Sequence, residues 1–185
     1  MYFAKSMMTA AVIAVSAGAV HAAENPMVGG AEMFAIKNIV ENAVNSADHT
    51  TLVAAVQAAG LAETLSGAGP FTVFAPTNDA FGRLEAGAVD NLLKPENKEQ
   101  LQQVLTCHVV SDTVMGDALK SLVDDNEGHH PLATLGGCML DVTYADDGRI
   151  LLTDENGNGA FVEIADVAQS NGVIHVIDGV MLPKQ

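Results

Sequence analysis

The chain's 185 residues are enough for one domain with a sizeable core and marginal for two. Its 23 acidic and 8 basic residues give a net charge of −15, which argues against binding to nucleic acid or anionic lipid, because both require basic patches. Self-repulsion of this kind favours a soluble monomer, so we expect a monomer.

The first residues are typical of a secretory signal. Lys5 precedes an apolar run over residues 7–20, and residues 20–22 offer a cleavage site. The alternative is a membrane anchor, but the run is shorter than the roughly 20 residues that span a bilayer. We predict a secreted or periplasmic protein with no membrane span after cleavage, divided into a signal peptide at 1–22, a flexible N-terminal segment at 23–33 and one domain at 34–185.

Hydrophobic periodicity places helices early in the domain and strands late. Apolar residues recur at helical spacing over 36–44, 52–56 and 101–105, whereas residues 124–131 are polar and predict a loop. Asn171-Gly172 is the strongest hairpin signal. Period-two patterns predict late strands at 132–135, 138–143, 150–153, 160–165 and 173–177. Helices followed by strands favour an α+β fold over alternating βαβ units.

Residues 71–81, Phe-Thr-Val-Phe-Ala-Pro-Thr-Asn-Asp-Ala-Phe, combine a strand, a corner and the start of a helix. The strand should end near Pro76, which has no N–H to donate. Thr77 is placed to cap a short helix with Asp79 in its first turn, where the helix dipole favours an anion.

This stretch resembles the first signature box of the fasciclin domain, an adhesion module of secreted and cell-surface proteins. Residues 170–183 look like the second box, and residues 105–110 resemble the central Tyr-His motif with Cys107 in place of the tyrosine. The resemblance implies a compact β-sandwich-like sheet with N-terminal helices packed along its edge. The signature residues that it identifies are Phe71, Phe74, Pro76, Thr77, Asn78, Asp79, Phe81, Asn171, Gly172, His175, Asp178 and Pro183.

The same resemblance suggests binding residues. Asp166 and Val167 match an acidic-plus-aliphatic motif that some animal fasciclin domains use to engage integrins, and His108 matches the histidine of the Tyr-His motif. The alternative is that Asp166 caps or solvates a strand end while Val167 packs inward. His108 and His175 both lie in apolar strands, where a neutral histidine bonded to a backbone carbonyl competes with a metal pair or a general base.

Cys107 and Cys138 are the two cysteines of the chain. They are too far apart for a CxxC redox pair, and an exported protein retains disulfides, so we predict a structural disulfide between them. Two buried thiols are the alternative.

Two segments suggest weak metal sites. Residues 154–159 begin like a calcium loop, but Ala165 occupies the position that requires a bidentate Glu, so a hairpin turn is the better interpretation and a surface site with Asp154 and Glu163 the alternative. His129-His130 lies beside acidic residues and could bind zinc or copper, but adjacent histidines on an extended chain point apart. We predict no metal and no cofactor.

The sequence contains no GxSxG elbow, HExxH helix or phosphate-binding GxxxxGK[ST] loop, so we predict no catalytic residues and no enzyme. The resemblance implies a non-catalytic secreted adhesion or interaction module at the cell envelope or extracellular matrix, with a protein or a cell-surface or matrix component as partner. The alternative is a soluble small-ligand or metal-binding carrier in the periplasm.

Overall fold

The computed structural model describes residues 25–184. The α-helices are α1 Ile39–Ala43, α2 Thr50–Ala59, α3 Ala62–Ser66, α4 Asn78–Gly82, α5 Ala88–Leu92, α6 Lys98–Thr106 and α7 Gly116–Asp125. The strands are β1 Met27–Val28, β2 Ala31–Glu32, β3 Phe71–Pro76, β4 Val109–Val110, β5 His129–Ala133, β6 Met139–Tyr144, β7 Ile150–Thr153, β8 Gly159–Gln169 and β9 Gly172–Ile177. Short 3-10 helices span Ala47–His49 and Pro95–Asn97.

Seven of these strands form one sheet in the order β4-β3-β9-β8-β7-β6-β5. The central strands β3 and β9 are parallel, and every other neighbouring pair is antiparallel. The predicted hairpin at Asn171-Gly172 joins β8 to β9, with Gln169 opposite Gly172. The α+β prediction is confirmed.

The central strands are buried on both faces because their side chains alternate between two cores. Val73 and Ala75 pack with Ile174 and Val176 against α1, α2, α3 and α6. Phe74, between them in sequence, faces the opposite core, which α7 and strands β5 to β8 enclose. Burial on both faces requires apolar residues at consecutive positions, which is why the sequences of β3 and β9 are nearly continuously apolar.

Two late elements differ from the sequence-based prediction. The strand β8 continues to Gln169, four residues beyond the predicted end, because register shifts between Val162 and Val167 allow it to bend and keep pairing with β9. The predicted loop at 124–131 ends earlier than expected, since His129–Ala133 forms the edge strand β5. Pro131 in this strand has no N–H, which limits pairing at the sheet edge.

The N-terminal part of the described chain is ordered by its contacts. Within the segment 23–33, β1 and β2 form a hairpin, and Val28 and Met33 are buried in the core. Asn38 caps α1 in a capping box with Glu41, so the helix begins after Ile36, which is 87% exposed. The predicted signal peptide at 1–22 lies outside the described residues. No helix within residues 25–184 has the length and apolar character needed to cross a membrane.

Candidate interaction surface

The β3–α4 corner is held by its own side chains. The Thr77 hydroxyl accepts a hydrogen bond from the Ala80 N–H, and Asp79 lies exposed in the first turn of α4. Asn78 joins this turn to the start of α2, because its Oδ1 accepts from Thr51 N–H and its Nδ2 donates to the Ala47 carbonyl. The predicted cap and helix start are therefore present.

The remaining residues of the first box are core residues. Phe74 and Phe81 are buried, Phe71 is partly buried, and Pro76 is the last residue of β3, where it lies opposite Ile177. These side chains stabilise the centre of the sheet and are not available to a partner on the folded surface.

Asn171 at the β8–β9 turn uses its whole side chain inside the protein. Its Oδ1 accepts from Ile39 N–H, and its Nδ2 donates to the carbonyls of Leu65 and Gly67. Gly172 follows in the closest contact between β9 and β3, since a Cβ there would meet the Phe71 carbonyl oxygen at 1.9 Å. Both residues therefore attach the hairpin to the helical layer and to β3.

The end of the second box fastens the C-terminal segment. Asp178 accepts from the Phe161 N–H through Oδ1, and its Oδ2 pairs with Arg83 Nη1 at 3.0 Å. The carbonyl of Pro183 accepts a hydrogen bond from the Asn156 side chain. Like Asn171, Asp178 and Pro183 therefore stabilise the folded structure.

His108 is a core residue, 2% exposed. Its Nδ1 lies 2.8 Å from the Val104 carbonyl oxygen, and the Met181 N–H donates to its Nε2 at 2.9 Å. One nitrogen therefore carries the proton and the other accepts, which is a neutral ring. Burial lowers the pKa of His108 to about 4.

His175 has the same kind of environment with the two nitrogens exchanged. Its Nε2 donates to the Val114 carbonyl at 2.8 Å, while its Nδ1 accepts from the Asp166 N–H at 3.2 Å, and Phe74 stacks on the ring. Burial lowers the pKa of His175 as well. The two histidines thus bond separate backbone segments and do not face a common metal.

Asp166 lies at the bulge of β8 in a backbone conformation that is rare for residues other than glycine, with φ of 60°. Two contacts hold it there: its N–H bonds His175, and its Oδ1 accepts from the Gly116 N–H at 2.6 Å. That second bond caps α7, whose own N-cap residue Met115 supplies no side-chain hydrogen bond. The carboxylate is exposed to solvent yet part of the structure.

Four exposed residues lie around this point: Met115, Asp166, Ala168 and Ser170. Together we call them the bulge surface. A shallow cleft of about 530 Å³ borders it, with Gly69 and Pro70 on its far side. Val167 is fully buried and His108 lies in the core, so of the three predicted binding residues only Asp166 is available to a partner.

Cys107 and Cys138 form a disulfide, with Cα atoms 5.3 Å apart. The bridge joins the end of α6 to the residue before β6, and both cysteines are buried. It ties the helical layer to the antiparallel part of the sheet and leaves no thiol for chemistry.

The residues of the suspected calcium loop form a hairpin turn. Asp154 is 5% exposed, and its carboxylate accepts from the backbone N–H groups of Asn156, Asn158 and Leu182 and from the Asn158 side chain. Glu163 is paired with Arg149. Four N–H donors occupy the Asp154 oxygens that calcium would require, so this turn anchors the C-terminal segment instead.

His129 on β5 lies 3.4 Å from Asp141 on β6, while the His130 ring faces Asn126. The adjacent histidines therefore have separate partners, as expected for neighbours on a strand. Within residues 25–184 no group of three or more His, Cys, Asp or Glu side chains could hold a metal ion.

One buried polar pair was not predicted from the sequence. Ser46 and His49 are both buried, and the Ser46 hydroxyl lies 2.8 Å from His49 Nδ1. Within residues 25–184, His49 Nε2 has no well-aligned hydrogen bond, although the backbone of Ala75 is close enough to offset in part the lowering of the ring's pKa by burial. The residues follow a helix and resemble an ordinary capping sequence, so only the packing around them reveals their position.

Comparison with known proteins agrees with this architecture. The fasciclin domain model matches residues 47–183. The chain belongs to the fasciclin domain family. A chain of the insect cell adhesion molecule Fasciclin I, solved as a pair of FAS1 domains, superposes with a TM-score of 0.56 and 22% identity over 69% of this chain and 42% of that chain, which is a likeness of fold.

Several proteins are also similar in sequence. Protein sll1483 of Synechocystis is 48% identical and covers 78% of this chain and 73% of its own length. The cell surface glycolipoprotein MPB83 of Mycobacterium bovis is 33% identical, with 88% of this chain and 69% of its own length covered. Transforming growth factor-beta-induced protein ig-h3 of Sus scrofa is 36% identical over 71% of this chain, which corresponds to 17% of that longer protein.

Proposed function

We propose that this fasciclin domain is an exported, non-catalytic module that binds a protein or another component of the cell surface or matrix through the bulge surface. The observation that carries the proposal is Asp166: an exposed carboxylate in a strained backbone conformation, held in place by His175 and Gly116. Strained residues that their surroundings over-determine concentrate at functional sites.

The neighbourhood of Asp166 suits a small protein contact. Met115 contributes an exposed apolar side chain, and the adjoining cleft is large enough to admit a side chain of a partner. Asp166 has a preset position, so little conformational entropy is lost when it binds. A cell-surface location agrees with the name of the relative MPB83, and an adhesive role agrees with the nature of Fasciclin I as a cell adhesion molecule.

The test is saturable binding of labelled protein, residues 23–185, to cells of the producing organism. Asp166→Asn keeps an oxygen to cap Gly116 and removes only the charge, whereas Asp166→Ala would also remove the cap of α7 and destabilise the protein by roughly 1 kcal/mol. Asp90→Asn makes the same change on α5, outside the bulge surface.

We expect Asp166→Asn to weaken saturable binding by about tenfold at unchanged thermal stability, and Asp90→Asn to bind as the wild type does. Equal loss in both variants would show that net charge alone attracts the protein to cells. Absence of saturable binding by the wild type would overturn the adhesive proposal.

A different observation favours the alternative function, a soluble carrier of a small ligand. Two apolar cavities lie between the sheet and α1. They differ from the bulge surface in chemical character, because almost no polar surface lines them.

A further inference from the structure

Three asparagines of the chain precede a glycine: Asn156, Asn158 and Asn171. Such a pair carries its own chemistry, because the backbone nitrogen of the glycine can attack the amide carbon of the asparagine side chain and close a five-membered ring. Glycine permits the closest approach of the two groups, since it has no Cβ and few restrictions on its backbone angles. In a folded protein the reaction depends on how firmly the structure holds each pair.

The pair Asn171-Gly172 is held on both sides. The Asn171 side chain accepts a hydrogen bond from Ile39 N–H in α1 and donates to two backbone carbonyls at the end of α3. The backbone of Phe71 packs so closely on Gly172 that a Cβ there would lie 1.9 Å from the Phe71 carbonyl oxygen. The side-chain carbon of Asn171 therefore reaches the glycine nitrogen only if the hairpin leaves both β3 and the helical layer.

The turn at residues 156–159 is held much less firmly. All four of its residues are exposed at the connection from β7 to β8, and Gly157 has φ of 85°. Apart from its neighbours in sequence, no atom of residues 25–184 lies within 4 Å of the position that a Cβ would take at Gly157. Its N–H bonds the Asp154 carbonyl at 3.0 Å, and breaking this bond at an exposed loop tip leaves the core intact.

We propose that this turn is a site of spontaneous chemical modification, at which Asn156 and Asn158 lose ammonia and become aspartate or isoaspartate while Asn171 is protected. In the first step the glycine N–H loses its proton to hydroxide, and the nitrogen bonds the asparagine Cγ. The Cγ–NH₂ bond then breaks, and the leaving group takes a proton from water and departs as ammonia. Water adds to one of the two ring carbonyl carbons. Breaking the bond from the ring nitrogen to Cγ gives aspartate, and breaking its bond to the backbone carbon gives isoaspartate.

The modification acts on the anchor of the C-terminal segment. Asn158 Nδ2 donates to Asp154 Oδ2 at 2.9 Å, so a carboxylate at position 158 places two like charges within hydrogen-bond distance. Asn156 Nδ2 donates to the carbonyl oxygens of Leu182 at 3.2 Å and Pro183 at 3.0 Å, and a carboxylate has no proton to donate to them. Both changes loosen the last residues of the chain as the protein ages. The site is independent of the adhesive function proposed above.

Ageing of the wild-type protein, residues 23–185, tests the site directly. The protein is incubated at physiological temperature, at neutral and at mildly alkaline pH, and tandem mass spectrometry locates the mass gain that replaces NH₂ with OH. We expect modification at Asn156 and Asn158 to exceed that at Asn171 by at least about tenfold, because reaction at Asn171 requires the loss of the hydrogen bonds that hold the hairpin. Alkaline pH should accelerate the reaction, since the attacking nitrogen has to lose its proton.

The unfolded protein is the matched control for intrinsic reactivity. In guanidinium chloride with the disulfide reduced, all three pairs have lost their folded contacts. Asn171 should then react about as fast as Asn156 and Asn158. Continued protection of Asn171 in the unfolded protein would show that its neighbours in sequence, and not the fold, prevent the reaction.

Variants test the effect on the C-terminal segment. Asn156→Asp and Asn158→Asp introduce one product of the reaction, and each should accelerate hydrogen exchange at the Leu182 amide by up to about tenfold. Gln57→Glu makes the same amide-to-carboxylate change at an exposed position of α2 and should leave that exchange unchanged. In the double variant Asn156→Gln/Asn158→Gln the ring would have six members and would close far more slowly, so ageing should not alter exchange at Leu182.

Three results would overturn the proposal. The first is an aged, folded wild type that is unmodified at the turn or modified equally at Asn171, which needs no variant to fold. The second is unchanged exchange at Leu182 in both aspartate variants. The third is an aged double glutamine variant in which this exchange accelerates as much as in the aged wild type. None of these results bears on binding to cells through Asp166, so the two proposals fail separately.

Discussion

Acidification should destabilise the folded protein through His108 before most carboxylates titrate. The folded ring uses Nδ1–H to bond the Val104 carbonyl and Nε2 to accept from the Met181 N–H. A second proton would have to lie between Nε2 and that N–H. The folded state therefore excludes it, and burial lowers the pKa of His108 from its ordinary 6.5 to about 4.

The unfolded chain takes up this proton at its ordinary pKa, so it binds more protons than the folded chain between pH 6.5 and about 4. Stability contributed by His108 is fully present above pH 6.5 and decreases as the pH falls through that window. One pKa unit corresponds to about 1.4 kcal/mol, so lowering the pH from 6.5 to about 5 should remove about 2 kcal/mol. Burial also lowers the pKa values of His175 and His49, and these act in the same direction.

The assay is urea unfolding with the disulfide intact, at several pH values between 6.5 and about 5. His108→Phe should have lower stability at neutral pH, because the Val104 carbonyl and the Met181 N–H lose their partner, but a slope against pH that is smaller by about 2 kcal/mol over the window. An unchanged slope in this variant, or a folded-state pKa of His108 near 6.5 by NMR, would refute the reasoning.

Two further predictions concern the C-terminal anchor and the disulfide. Asp154→Ala leaves four N–H donors without their acceptor, so the free energy of unfolding should fall by about 3 kcal/mol. Hydrogen exchange at the Leu182 amide should accelerate in this variant. Slow exchange there would contradict the role of Asp154 as an anchor of the C-terminal segment. Replacing Cys107 and Cys138 by Ser should lower stability by about 3–4 kcal/mol in urea, since the bridge closes a loop with a sequence separation of 31, and a loss under about 1 kcal/mol would contradict the loop-closure model.

Local signals in the sequence predict correctly the elements that contacts between nearby residues stabilise. Thr77 caps α4 because the capping bond joins residues three apart, and the Asn171-Gly172 turn joins two adjacent strands. The strand pattern from Ile150 to Thr153 appears with the predicted bounds, because each of its faces has a uniform environment. The resemblance to fasciclin domains added the relative positions of these elements.

The bulge in β8 could not be predicted from the sequence. Asp166 adopts positive φ because His175 accepts its N–H and Gly116 donates to its carboxylate, and these residues are separated from it by 9 and 50 positions. Residues 164–167 therefore look like the end of a strand when only neighbours are considered. The same reason hides the buried position of His49, whose surroundings are built from strands and helices that meet only in the fold.

The bulge also explains why only one of the two residues in the predicted binding motif is exposed. An acidic residue followed by an aliphatic one indicates a linear motif, but Val167 belongs to the core between the sheet and the helices, while Asp166 is turned outward by the bulge. The bulge shifts the phase of the period-two alternation, so Asp166 and Ala168 face solvent while Val167 packs inward, which is the arrangement that the alternative interpretation of this pair expected.

The parallel contact between β3 and β9 also constrains when the protein can fold. Phe71 pairs with Gly172, so the centre of the sheet closes only after about a hundred intervening residues have been ordered, a topology associated with slow folding. A chain that is synthesised or translocated from its N-terminus cannot complete this pair until Ile177 has emerged. Loss of the last strand would leave β3 paired only with the two residues of β4, so a C-terminal truncation should abolish the fold rather than shorten it.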